Sequence, residues 1–193
     1  KSVSIEDYAA DENKDRSTSS NRIAVIYANG EITSGEGNDE TMGSERISRA
    51  IRKARTDDKV KAVVLRVNSP GGSALASDVM WREVVLTKKV KPVIVSMGDV
   101  AASGGYYIAC AADSIFAQPN TITGSIGVFG IIPNMQKFFN DKLGITFDGV
   151  KTGRYADLGD VSRPLTEGER LIIQQEVNKI YNTFTKKVAD GRK

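Results

Sequence analysis

Residues 61–72 read KAVVLRVNSPGG and residues 91–105 read KPVIVSMGDVAASGG. Each is a nearly continuous apolar run that closes on a glycine-bearing turn. Such runs, apolar at odd and even positions alike, mark strands buried on both faces of a parallel sheet. Between and before them lie helical patterns. Residues 44–55 place Ile47 and Ile51 on one face behind Ser44 as a cap, and residues 74–88 form the next helix. Strand and helix in alternation predict an α/β fold with a parallel sheet and right-handed crossovers.

Outward from this centre, IAVIYANGEI (23–32) predicts a strand with a turn at Asn29-Gly30, and a Gly/Ser/Asp-rich loop runs on to Gly43. Downstream, residues 106–112 read as helix, SIFAQ (114–118) as a short strand and TITGSIGVFG (121–130) as a glycine-rich strand and turn. Residues 133–143 predict a helix and ITFDGV (145–150) a strand. The last helix opens on a capping box, Thr166 with Glu169, and carries Ile173, Val177, Tyr181, Phe184 and Val188 at helical spacing. Residues 1–21 are polar and rich in Ser, Asp and Lys, and read as a linker or disordered start before a domain at 22–193.

At 193 residues the chain has room for one domain with its own core. Its 27 basic and 24 acidic residues are interspersed, so no basic face is announced and nucleic acid is not an expected partner. No apolar run approaches the roughly 20 residues of a membrane-spanning helix. Cys110, the single cysteine, sits among Ile108, Ala109, Ala111 and Ala112 and reads as a small buried side chain. There are no histidines, which removes the usual general base of serine and cysteine hydrolases and the commonest zinc ligand. No metal and no cofactor are expected.

Open α/β sheets bind ligands at the C-terminal ends of their strands, where this chain places its two glycine turns. Ser103, at the mouth of the second, would present an exposed hydroxyl between small neighbours. The N–H of Gly104, just after it, and that of Gly72 in the first turn would supply two oxyanion donors. Either turn alone is ordinary strand punctuation; their pairing is the signal. Without histidine, a lysine neutralised by burial is the natural candidate for the base. Most lysines fall in charged runs such as Lys88-Lys89 and Lys186-Lys187, which leaves Lys151, after ITFDGV, as the one near a site edge. Asp99, Asp157 and Asp160 read as turn caps, with orientation of a base as the alternative.

Four segments, NSPGGSA, VSMGDVAASGGYYIA, TITGSIGVFG and FDGVKTGRYADLG, stand in the order and spacing of the signal peptide peptidase A family, which the chain resembles from about Arg22 onward. The resemblance implies the crotonase-like fold shared with Clp protease, Ser103 as nucleophile, and Gly72 and Gly104 at the oxyanion hole. Single-domain members of that family carry the catalytic lysine at the place filled here by Ala156. Long members duplicate the domain, with lysine in the first copy and serine in the second. By this resemblance the chain is the second copy, its base lent by its own N-terminal domain, and VADGRK at its end continues into more chain. The resemblance further implies a homo-oligomer in the bacterial cell envelope, anchored through a segment outside these residues, with its catalytic domain on the extracytoplasmic side and remnant signal peptides as substrate.

Substrate pockets are not fixed by the sequence; Val100, Ile126 and Val128 are candidates, with ordinary core as the alternative. Two rival functions share the fold. A crotonase-type acyl-CoA enzyme would use acidic residues over its substrate, and a non-catalytic assembly domain would use the long C-terminal helix.

Overall fold

A computed structural model describes residues 19–192; most of the expected N-terminal linker lies outside them. The sheet is parallel throughout. Strand β1 (Arg22–Asn29) pairs with β4 (Val60–Ser69), β4 with β5 (Val93–Ala102), and β5 with both β6 (Ser114–Phe116) and β7 (Ile122–Gly124). The expected first strand divides at Gly30. Its second part is β2 (Glu31–Thr33), which pairs with β3 (Thr41–Gly43) outside the main sheet. Helix α1 (Ser44–Thr56) follows, capped at Gly43 rather than by the expected Ser44 side chain.

Register explains the core. Ile26 lies beside Leu65 and Leu65 beside Val95, and these, with Val63, Val67, Val93 and Met97, are buried beneath α1 and α2 (Ala74–Lys88). The opposite face departs from the expectation of burial on both sides. Val64, Arg66 and Ile94 are only half-buried, and Val25 and Tyr27 on the edge strand are exposed. Arg66 spans part of that face, donating to Ser96 Oγ at 2.8 Å and to the Met97 carbonyl at 2.6 Å. The reason is distributional, because both long helices of this half of the chain lie on the other side.

The two helices are clamped to each other by charge. Glu83 on α2, only 8% exposed at its side chain, accepts from Arg52 and Arg55 of α1 at 2.6 Å each. Burial acts to raise its pKa, but the hydrogen bonds and charges of the two arginines outweigh it and hold the carboxyl below the usual range. Glu83→Gln should therefore cost about 2 kcal/mol at pH 7, less than a fully buried pair because Arg52 remains largely solvated. A lowered native pKa gives stability that is complete above the unfolded value, about 4.3, and lost as pH falls through the native one. Chemical denaturation should show the gap between wild type and variant closing below about pH 4.

Helix α3 (Gly104–Ala109) begins earlier and ends earlier than expected. Helix α4 (Glu167–Gly191) opens on the expected capping box, Thr166 with Glu169. Its inward face is Val177, Ile180 and Phe184; Tyr181 turns outward instead. Phe184 packs on the Tyr107 ring at 4.7 Å, and Arg192 donates through Nε to the Cys110 carbonyl at 2.9 Å and through Nη2 to that of Ala112. Cys110 is buried, as its neighbours imply, and burial raises its thiol pKa to about 11.

Between β7 and α4 the sequence reading fails in two places. The helix expected at 133–143 is confined to its second half, mostly a π-helical turn (Phe138–Leu143) ended by Gly144 at φ 65°. ITFDGV is not a strand. No strand runs beside it among the described residues, and an extended segment holds its shape only where a neighbour takes up its N–H and C=O groups. Phe147 packs instead on Phe139 at 4.9 Å, and Phe129, Ile131 and Val150 are largely solvent-facing. No helix among the described residues is long and apolar enough to cross a membrane.

Candidate active site

The two glycine turns lie back to back. Ser69 pairs with Ala101 across β4 and β5, the Asn68 side chain accepts from the Val100 N–H at 3.1 Å, and the Ser69 hydroxyl accepts from the Gly71 N–H at 3.2 Å. Glycine is required where they meet. A Cβ on Gly71, at φ 106°, would stand 2.7 Å from Gly104 N and 2.8 Å from Ser103 Cβ, and one on Gly105 would stand 2.7 Å from the Ser69 carbonyl oxygen. Gly72, at φ 146°, lies against the backbone of Ile32. The Gly71 carbonyl accepts from Ile32 N at 2.8 Å and Ser73 N donates to the Ile32 carbonyl at 2.9 Å, so the Gly72 N–H between them takes no part in that bridge.

Ser103 itself is strained. It has φ 50° and ψ −118°, a region costly for any residue with a Cβ, on the sharp turn from β5 into α3. Its N–H donates to the Gly124 carbonyl of β7 at 2.9 Å, while Thr123 Oγ1 donates to the Ala101 carbonyl at 2.9 Å and Thr121 Oγ1 to that of Gly98 at 2.8 Å. The short strand β7 thus stitches down the strand that delivers Ser103. At the start of α3 the Gly104 N–H is one of the helix's orphan donors.

Ser103, Gly72 and Gly104 line one cavity of about 860 Å³, together with Ser125, Val128, Phe129 and the inward face of α4. The three residues singled out in the sequence are therefore brought together. Of the pocket candidates Val128 lines the cavity, whereas Val100 and Ile126 do not. Sequence reading missed Gly71, whose clearance sets the approach of the two turns. It also missed Ser125, the other non-glycine residue at positive φ among those described (47°). The signal for Ser125 was its place between the glycines of TGSIG.

No lysine among the described residues lines this cavity. Lys151, the candidate base from the sequence, lines a separate one of about 380 Å³ and is paired to Asp157 at 2.5 Å. Asp160 caps a turn as expected, whereas Asp157 is held in ion pairs rather than capping one. Asp157 accepts from Lys151 and Arg163, which together hold its carboxyl below the usual range; Asp160 accepts from the Ser162 N–H at 2.8 Å. Arg163 also grips Glu169 at the start of α4, whose carboxyl is likewise held low.

Behind the cavity wall, Asp78 of α2 accepts from the Tyr107 hydroxyl at 2.6 Å and pairs with Lys187 of α4. Burial works to raise the Asp78 pKa, but the bonds from Lys187 and Tyr107 outweigh it and keep the carboxyl below its usual range. Burial and the Asp78 bond push the Tyr107 phenol far above its ordinary value, so it stays a donor.

The family model for peptidase family S49 matches residues 86–193, and that for Clp protease matches residues 13–123, in accord with the parallel sheet flanked by helices. Protease 4 of Haemophilus influenzae is 47% identical over 173 residues, covering 89% of this chain and 28% of that protein. Protease 4 of Salmonella typhi is 45% identical, covering 89% and 28%, and the chloroplastic serine protease SPPA of Arabidopsis thaliana is 43% identical, covering 89% and 26%. The chain spans little more than a quarter of the length of these relatives.

Proposed function

The chain belongs to peptidase family S49, and from that premise we propose that it carries the nucleophile of a serine peptidase of Ser-Lys type, with Ser103 attacking the scissile carbonyl. The observation that carries this reading is the strained Ser103 elbow opening onto a largely apolar cavity beside Gly72 and Gly104. In this mechanism Ser103 Oγ bonds to the carbonyl carbon as its proton passes to a neutral lysine. The N–H groups of Gly72 and Gly104 receive the oxyanion. The lysine then gives that proton to the leaving amine, and water hydrolyses the acyl-Ser103 ester by the same route.

The lysine comes from outside these 193 residues, a reading supported by the separate cavity of Lys151 and by the absence of lysine from the described lining. The apolar wall suits apolar peptides, of which remnant signal peptides are the class proposed. The same reading has the enzyme act at a membrane, as a homo-oligomer in which a neighbouring domain lends the base. The exposed apolar side chains at Phe129, Ile131 and Val150 would be covered in that assembly.

Peptidase assays on a short apolar peptide test this reading. The protein as its gene encodes it should cleave at least about 10²-fold faster than the 193-residue chain alone, the lower bound expected for a missing general base. Equal rates would place the base within the chain, and no cleavage by either would remove the peptidase reading.

A further inference from the structure

Three helices meet around one ammonium group. Lys187 of α4, 16% exposed, pairs with Asp78 of α2, sits 3.5 Å above the Trp81 ring centroid and lies 5.2 Å from that of Tyr107. Tyr107, on α3, donates its hydroxyl to the same Asp78 oxygen and packs edge-on to Trp81, with ring centroids 6.5 Å apart. It is also one bond from the nucleophile, since its N–H donates to the Ser103 carbonyl at 2.9 Å. A buried-side cation, a carboxylate and a phenol therefore run in series from the C-terminal helix to the turn that holds Ser103 at positive φ. Strain of that kind persists only where the surroundings over-determine it.

We propose that Lys187 is a positioning residue for the Ser103 turn, acting through Asp78 and Tyr107 and coupling the seating of α4 to the geometry of the nucleophile. The catalytic consequence rests on the reading of Ser103 as nucleophile; the mechanical coupling does not. Lys187 does not itself line the cavity, but it lies against Tyr107, which does, and the helix it anchors supplies Val177, Ile180 and Phe184 to the cavity wall. Removing its charge leaves Asp78 half-buried without its cation, so the carboxylate turns toward water and the Tyr107 hydroxyl loses its acceptor. The first turn of α3 then loosens at the Tyr107 to Ser103 bond.

The experiment uses the protein as its gene encodes it, in wild-type, Lys187→Met, Lys187→Arg and Tyr107→Phe forms. Hydrogen exchange over residues 103–107 should quicken at least tenfold in Lys187→Met and about threefold in Tyr107→Phe, with residues 63–67 of the β4 core unchanged. Peptide cleavage should lose kcat at least tenfold in Lys187→Met with KM within twofold, and Lys187→Arg should recover most of both signals. Unchanged exchange at 103–107, exchange that rises equally in β4, or a Lys187→Arg variant no better than Lys187→Met would overturn the coupling. Faster exchange in an enzyme whose cleavage does not depend on Ser103 would support the coupling and sink the nucleophile reading instead.

Discussion

Replacing Ser103 with alanine is expected to lower peptide cleavage by at least about 10³-fold, the scale on which removal of a covalent nucleophile acts. Tm should move by no more than about 2 °C, because the hydroxyl has no hydrogen-bond partner among the described residues and alanine accepts the same strained backbone no better and no worse. Glycine separates chemistry from strain. Ser103→Gly should be equally inactive yet more stable by about 1 kcal/mol, since glycine relaxes a positive φ that costs a residue with a Cβ of order 1–3 kcal/mol. A variant that is inactive and stabilised would identify the elbow as a place where stability is given up for the exposure of one oxygen. Retained cleavage in Ser103→Ala would end the serine-peptidase reading, and a large stability loss would show that the side chain holds structure.

The parts of this site legible in the sequence are those whose signals are local. Strands β4 and β5 announce themselves because their own residues are apolar, and the two turns because glycine and proline constrain the backbone where they stand. Ser103, Gly72 and Gly104 lie within those turns and were readable for that reason. What the sequence could not show is settled at long range. The Asp78, Tyr107 and Lys187 cluster joins residues 29 and 109 positions apart, and each alone looks like an ordinary surface or core residue. Lys187 sits in a Lys-Lys pair that reads as solvated, whereas the fold turns it over two aromatic rings. ITFDGV has the alternation and β-branching of a strand, but strand formation depends on a neighbour and not on the segment's own composition. Gly71 and Gly72 look alike as turn residues, and only the neighbours each meets in the fold, the Ser103 turn for one and Ile32 for the other, distinguish them.

That distinction makes Gly71→Ala the sharpest structural test. At φ 106° the backbone of Gly71 is closed to other residues, and the added methyl would sit 2.7 Å from the Gly104 nitrogen and 2.8 Å from Ser103 Cβ. Neither neighbour is the free end of a flexible side chain, so relief requires the two turns to part. Strain and overpacking together should cost about 3 kcal/mol, or roughly 6–12 °C in Tm for a domain of this size. The functional cost is of similar size. The same separation moves the Gly104 N–H and Ser103 together away from Gly72, and a misplacement of about 1 Å lowers catalysis about 10²-fold. Gly149→Ala is the control, because a Cβ there meets nothing within 4 Å and its φ is not positive; it should leave Tm and cleavage unchanged. If Gly71→Ala lost stability but kept its rate, the spacing of the turns would matter to folding alone, and the oxyanion donors would have to be sought away from Gly72 and Gly104.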